Sequence, residues 1–261
     1  MRNIIAVDYN PGSMGSFLLW NLFKKFPRLD KQKTVLTRPW VPSNHHVRPD
    51  FEIYNAEQAK NNNILTAINN HTYFTITAHN TLSLLSPEIL EKIIPIRINT
   101  TLDDLPTVIF FFWYKAGRFM LDYVNNSGDA FAPGMFRQLV RCVQETVLNT
   151  TAEHTINFTD LSNVDNINAC FDKLALPLDS ININHEWHSI EYKRSVQLLV
   201  DFKDRFEQFR IVVEWIYAQL MANKTADDML AQASDIWQVF ESTLDEFTKT
   251  MSVINTTSKR R

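Results

Sequence analysis

Apolar and polar positions alternate between two periods along the first part of the chain, and settle into one long helical period toward its end. Ile4-Ile5-Ala6-Val7 is an unbroken apolar run, the pattern of a strand buried on both faces of a parallel sheet. The loop 8–15 follows. Phe17-Leu18-Leu19-Trp20-Asn21-Leu22-Phe23 then predicts a helix ending near Lys24-Lys25, whose charge suits the negative end of the helix dipole. Residues 31–51 carry three prolines and His45-His46 and read as an irregular excursion over the surface, in the manner of a lid. Further helices are expected over 56–70, 83–92 with Pro87 in the first turn, 105–125, 133–148 and 161–174. The β-rich runs 73–77, 93–98 and 155–158 read as the second, third and fourth strands. Pro95 removes one ladder donor from the third.

Beyond residue 184 the strand signal stops. Leu199, Phe202, Phe206, Phe209, Val213, Ile216 and Leu220 recur at steps of three and four, the spacing of one helix face. Residues 222–225 break the stripe, and Thr225-Ala226-Asp227-Asp228 has the form of a capping box with Asp in the usual Glu position. Met229, Ala233, Ile236, Phe240, Leu244, Phe247 and Met251 make a second stripe. The expected organisation is therefore an α/β core over 1–184 and a C-terminal helical extension over 185–261, with a helical hairpin between about Ser189 and Val253. The hairpin's stripes suit its own core, a protein partner or a second copy in a homodimer.

Composition narrows the function classes. A 45% hydrophobic content supports a sizeable core. The net charge of −3, with no basic block before Lys259-Arg260-Arg261, argues against a nucleic-acid binder. No run approaches the length of a membrane span, and Met1-Arg2-Asn3 leads straight into the first strand without a signal-peptide core, so a cytoplasmic protein is expected. Cys142 and Cys170 lack metal-ligand spacing and read as core thiols. His185 and His188 share a helix face but have no third ligand nearby, and no metal is expected.

Chemistry concentrates in the first loop. Two of the five glycines, Gly12 and Gly15, stand where the first strand turns into the first helix. Glycine tolerates positive φ and close backbone approach, and a helix N-terminus offers free N–H groups with a positive dipole end. Pro11-Gly12-Ser13-Met14-Gly15-Ser16 thus reads either as an anion cradle or as a plain strand-to-helix turn. The Walker A pattern is absent, because Ser16 rather than Lys follows the last glycine. That argues against a nucleotide kinase with a divergent loop.

Four segments, in order across residues 3–178, resemble the sulfotransferase family. The loop Pro11-Gly12-Ser13-Met14-Gly15-Ser16-Phe17-Leu18 resembles that family's 5′-phosphosulfate loop. Thr77-Ala78-His79-Asn80-Thr81-Leu82-Ser83-Leu84-Leu85 is similar to its Lys-Thr-His segment, with His79 on the position of the catalytic base. Lys92-Ile93-Ile94-Pro95-Ile96-Arg97 is similar to the strand ending in the arginine that binds a 3′-phosphate. Ile156-Asn157-Phe158-Thr159-Asp160-Leu161 is similar to its Tyr-Glu-Asp-Leu strand and helix. The resemblance implies a P-loop-like three-layer fold with a short parallel sheet. It also implies transfer of a sulfuryl group from 3′-phosphoadenosine 5′-phosphosulfate to a hydroxyl or amine of a small-molecule or glycan acceptor, without a metal ion. Gly12, Ser13, Gly15 and Ser16 would then hold the 5′-phosphosulfate and Arg97 the 3′-phosphate. Thr107 is the hydroxyl nearest the position of the family's helix serine, which Leu105 occupies here.

The sequence departs from the pattern at two charges. Gly12 stands where the family has a basic residue, and Thr77 replaces the lysine of Lys-Thr-His. Losing a preorganised contact of that kind costs several kcal/mol of transition-state stabilisation. Lys115 and Arg118, one turn apart, read as substitutes or as a solvated pair. Other readings stay open for the rest: His79 capping a strand end, Arg97 paired with Asp103, Asp104 or Asp160, and Asp160 capping the following helix. A catalytically inactive scaffold that binds a protein through its C-terminal helices is the alternative to the enzyme.

Overall fold

Five strands, all parallel, form a single sheet in the order β2-β3-β1-β4-β5. They are β1 (Ile4–Asp8), β2 (Phe51–Ile53), β3 (Phe74–Ala78), β4 (Ile93–Asn99) and β5 (His154–Asn157). The helices are α1 (Gly15–Lys25), α2 (Pro87–Leu90), α3 (Phe131–Val147), α4 (Val164–Asp172), α5 (Gln208–Met221), α6 (Ala226–Gln232) and α7 (Ser234–Ser258). The computed structural model describes residues 2–9, 12–29, 50–53, 64, 73–78, 81–109, 111, 131–147, 152–190, 192–193, 208–232 and 234–258. Outside them lie most of the 31–51 excursion with His45-His46, nearly all of the expected helix 56–70, the later part of the helix 105–125 with Lys115 and Arg118, and the first half of the stripe beginning at Leu199.

The chain divides into two units that interleave in sequence: residues 1–99 with 150–197, and residues 100–149 with 198–261. The boundary expected between 184 and 185 falls inside the first unit.

In the first unit β1 is the central strand, and all five of its residues are buried. Ile4 and Ala6 join Ile53, Phe74, Ile76, Leu85, Ile89 and Ile93 in one apolar cluster on one face. Ile5 and Val7, which strand alternation points the other way, are also completely buried. Burial on both faces explains why the strand reads as a continuous apolar run rather than an alternating one. Pro95 is tolerated in β4 because β5 begins its pairing only at Ile96, so that side of Pro95 has no ladder to interrupt. Residues 51–53 form the short edge strand β2, so Phe51, expected as the end of the irregular segment 31–51, opens a strand instead. Asp50 fixes this strand, its carboxylate accepting the Thr75 backbone N–H at 2.7 Å and the Thr75 hydroxyl at 3.2 Å.

Helix α1 packs against β1 and α4. Lys25, in its last turn, is buried rather than solvated. Its Nζ meets Asp172 Oδ1 of α4 at 2.7 Å and Asn182 Oδ1 at 3.1 Å, so the ammonium is taken out of water only with two oxygens in place. Asn163 caps α4 by accepting the Asp165 N–H at 2.9 Å. Asp160, expected as that cap, instead accepts side-chain amides of Asn157 at 2.8 Å and Asn166 at 3.0 Å.

In the second unit α3, α5, α6 and α7 pack together. Phe136 of α3 meets Phe240 edge-on at 5.4 Å and Trp237 at 5.7 Å, and Phe209 of α5 meets Phe240 at 6.3 Å. The described parts of the two stripes therefore bury against α3 of the same chain, with Phe209, Val213, Ile216, Met229, Phe240, Leu244 and Phe247 all inside. The expected two-helix hairpin contains a third short helix, α6, between its arms. Its capping box is complete: Asp228 Oδ2 accepts the Thr225 N–H at 2.9 Å and the Thr225 hydroxyl at 2.7 Å, and the Asp228 N–H donates to Thr225 Oγ1 at 3.2 Å. Among the described residues, no helix is long and apolar enough to cross a membrane.

The Thr225 hydroxyl, followed by its backbone N–H, holds the Asp228 carboxyl below the ordinary aspartate range. A depressed carboxylate contributes stability above its unfolded pKa and loses it as pH falls through the folded one. Asp228→Ala should therefore melt earlier than the parent protein at neutral pH, and the gap should close as the pH drops below the normal aspartate range. Thermal melts followed by circular dichroism across that window check both halves.

Candidate functional site

The carboxyl edge of the sheet gathers the sequence-expected groups that the structure describes in the first unit. The connection leaving β1 runs to β2 on one side of it, while the connection from β3 to β4 crosses to the other. In open parallel sheets ligands bind at such a reversal, outside the carboxyl ends of the strands. The loop after β1 stands at this place. The Tyr9 N–H extends the ladder by one bond to the Ala78 carbonyl, 3.0 Å away. The chain then turns through Gly12, at φ 94°, and Met14, at φ 63° and ψ 30°.

Both turns lie in the left-handed region. Glycine adopts it freely, whereas methionine pays roughly 1–2 kcal/mol there. The Met14 side chain is 2% exposed, and its burial offsets that cost. Met14 also starts α1: its carbonyl accepts the Phe17 N–H at 2.9 Å and the Leu18 N–H at 3.1 Å. The N–H groups of Gly15 and Ser16 precede the first helical donor, the Phe17 N–H, and point along the axis out of the N-terminus. Met14 makes no side-chain cap there. Ser13 is fully buried and Ser16 half-buried.

Gly15 is required for a different reason from Gly12. A Cβ at residue 15 would fall inside the ring of Tyr9, itself 7% exposed. The ring lies against the bare Cα of the helix's first residue.

Arg97 belongs to β4 and is in register with Asp8, the last residue of β1. Arg97 Nη1 lies 3.4 Å from Asp8 Oδ2, and each residue is 5% exposed. The partner is none of the three aspartates suggested by sequence proximity. Asp103 pairs with Arg210 in the second unit, Asp104 accepts the Thr101 hydroxyl and N–H, and Asp160 is held by asparagines. The cation and the carboxylate thus form a desolvated, mutually compensated pair beside the loop.

The remaining expected residues are distributed as follows. His79 lies outside the described residues; it follows Ala78, the last residue of β3, which is in register with Asp8. Thr107 lies in the second unit, on the helical stretch 105–109. His188 is buried, stacked on Tyr192 and tilted against Phe17, with Nε2 3.0 Å from the Leu161 carbonyl. Burial holds its proton affinity below that of ordinary histidine, so Nε2–H donates to that carbonyl from a neutral ring at pH 7. His185 faces outward, 3.2 Å from Asp165. Among the described residues, no group of three His, Cys, Asp or Glu side chains is placed to hold a metal. Cys142 and Cys170 are both buried, and burial pushes the Cys170 thiol up to about 11, which leaves it protonated and unreactive at neutral pH.

Sequence reasoning overlooked Asp8 and Tyr9. Asp8 carries the one available signal, a carboxylate closing an otherwise apolar strand, but its meaning depends on Arg97, 89 positions away. No protein-family model, curated protein or solved structure matches the chain.

Gly15→Ala should lower stability by about 1–3 kcal/mol through overpacking against the Tyr9 ring. In a Tyr9→Ala background the same substitution should cost far less. Urea denaturation of the four proteins measures the coupling, and a cost independent of Tyr9 would place the constraint elsewhere.

Proposed function

We propose that this chain is a divergent sulfotransferase-like protein that moves a sulfuryl group from 3′-phosphoadenosine 5′-phosphosulfate to a hydroxyl or amine of a small-molecule or glycan acceptor. One observation supports the reading above the others. A positive-φ loop at the carboxyl end of the central parallel strand delivers a helix N-terminus next to a buried arginine. The resemblance across residues 3–178 supplies the chemical class, and the helix N-terminus after β1 supports reading the loop as an anion cradle.

The donor set suits the nucleotide. The N–H groups of Gly15 and Ser16, with the hydroxyls of Ser13 and Ser16, match the oxygens of a 5′-phosphosulfate, and Gly12 lets the backbone approach it. Arg97 is the fixed cation for the 3′-phosphate. When bound, the nucleotide supplies the sulfuryl group and a stable leaving group. His79 takes the proton from the acceptor hydroxyl, a role a neutral imidazole performs well near pH 7. The P-loop-like description of the fold belongs to this same reading.

A second reading has its own support. Arg97 is already paired with Asp8, and Gly12 brings no side-chain cation to the loop. A catalytically inactive scaffold that engages a protein through the C-terminal helices accords with both.

Calorimetric titration with 3′-phosphoadenosine 5′-phosphate separates the two. Saturable binding is expected, and Ser16→Asp should weaken it at least tenfold. An aspartate in the first turn favours the helix, so that variant folds while placing a negative charge where the anion sits. His79→Ala should keep nucleotide affinity and lose turnover. Absence of binding at millimolar nucleotide would eliminate the enzyme and leave the scaffold.

A further inference from the structure

Asp8 has no part in the reaction just described, yet it pairs with the cation that reaction needs. It ends the central strand, is 5% exposed, and places Oδ2 3.4 Å from Arg97 Nη1 across the register of β1 and β4. An arginine buried to that degree is not an idle anion receptor, because its charge is already opposed by a carboxylate in a medium of low dielectric. An incoming anion must share the guanidinium with Asp8. It must also tolerate the carboxylate's repulsion at close range.

We propose that Asp8 is a specificity-determining competitor for Arg97, so that the nucleotide's 3′-phosphate gains only the excess of its attraction over that of Asp8. The proposal rests on the reading of Arg97 as the 3′-phosphate ligand. The physical basis is the geometry of the fork. A guanidinium presents five N–H donors in a plane, enough to serve two anions, whereas one fixed carboxylate sets how much charge remains for the second. A dianionic phosphate competes with Asp8; a neutral 3′-hydroxyl does not. Asp8 therefore weakens binding and compresses the preference for the 3′-phosphorylated nucleotide. It also keeps the cation compensated in the absence of ligand.

The test compares 3′-phosphoadenosine 5′-phosphate with adenosine 5′-monophosphate, which lacks only the 3′-phosphate, by calorimetry on the full chain. Asp8→Asn removes the negative charge that Asp8 sets against Arg97. Affinity for the 3′-phosphorylated nucleotide should then rise about tenfold or more, while affinity for the monophosphate stays within twofold, so their ratio widens. A purely structural role for Asp8 would move both affinities together, and that outcome overturns the proposal. An unchanged ratio against a parent protein that does bind overturns it too, while leaving the nucleotide site in place. Absence of binding by both proteins removes the nucleotide reading itself and the proposal with it. Should Asp8→Asn fail to fold, Arg97→Lys supplies the second arm. Its single ammonium keeps the charge against Asp8 but lacks the fork that serves two anions. It is expected to lose the preference for the 3′-phosphorylated nucleotide, and a retained preference rejects sharing.

Discussion

Everything at the candidate site depends on the burial of β1. The strand lies between β3 and β4 and is covered on both faces, so its residues have almost no contact with solvent to trade against packing. A chain leaving such a strand can turn only beyond the sheet's carboxyl edge. It must do so quickly if α1 is to pack back against β1 and α4. Two left-handed residues, Gly12 and Met14, accomplish the reversal, and the close approach of Tyr9 to Gly15 tightens it. The free N–H groups at the start of α1 are a consequence of this turn.

Buried charge fixes both ends of this arrangement. At the strand end, Arg97 and Asp8 compensate one another across adjacent strands. At the far end of α1, the ammonium of Lys25 is held by Asp172 and Asn182. Neither cation would be tolerated away from water alone. Helix α1 is thus anchored at its C-terminus and turned sharply at its N-terminus. A polar site gains more from groups fixed in advance than from groups that must be ordered on binding. The same argument makes Asp8 costly for an anion site: the carboxylate that keeps Arg97 in the fold also occupies part of its attraction. The second unit carries no such buried pair among its described residues and relies on aromatic packing of Phe136, Phe209, Trp237 and Phe240.

Much of this was legible in the chain. The strand β1 was read from a continuous apolar run, because burial on both faces removes polar residues, and the strands β3, β4 and β5 from β-rich runs over 73–77, 93–98 and 155–158. The helix α1, the break at 222–225 and the capping box of α6 followed from local chemistry within four residues. The edge strand β2 was not legible: three residues, with Glu52 exposed, leave no periodic signal at the margin of a sheet. Asn163 rather than Asp160 caps α4, since the helix begins later than its apolar pattern suggested and the 3-10 turn Thr159–Ser162 fills the interval. The interleaving of the two units was hidden as well, because an apolar helix stripe does not say which partner covers it. Only packing assigns α5, α6 and α7 to α3.

The sequence by itself determined the local elements. Strand burial, turn residues, helix periodicity and caps are all decided within a few residues of one another. Tertiary structure decided which groups meet. Arg97 had three aspartates as candidate partners, nearby in sequence or in a matched motif. The hydrogen-bond register of two parallel strands gave it a fourth instead. Register is a property of the assembled sheet, set by the packing of both faces of β1 and β4 at once, and no stretch of either strand encodes it alone.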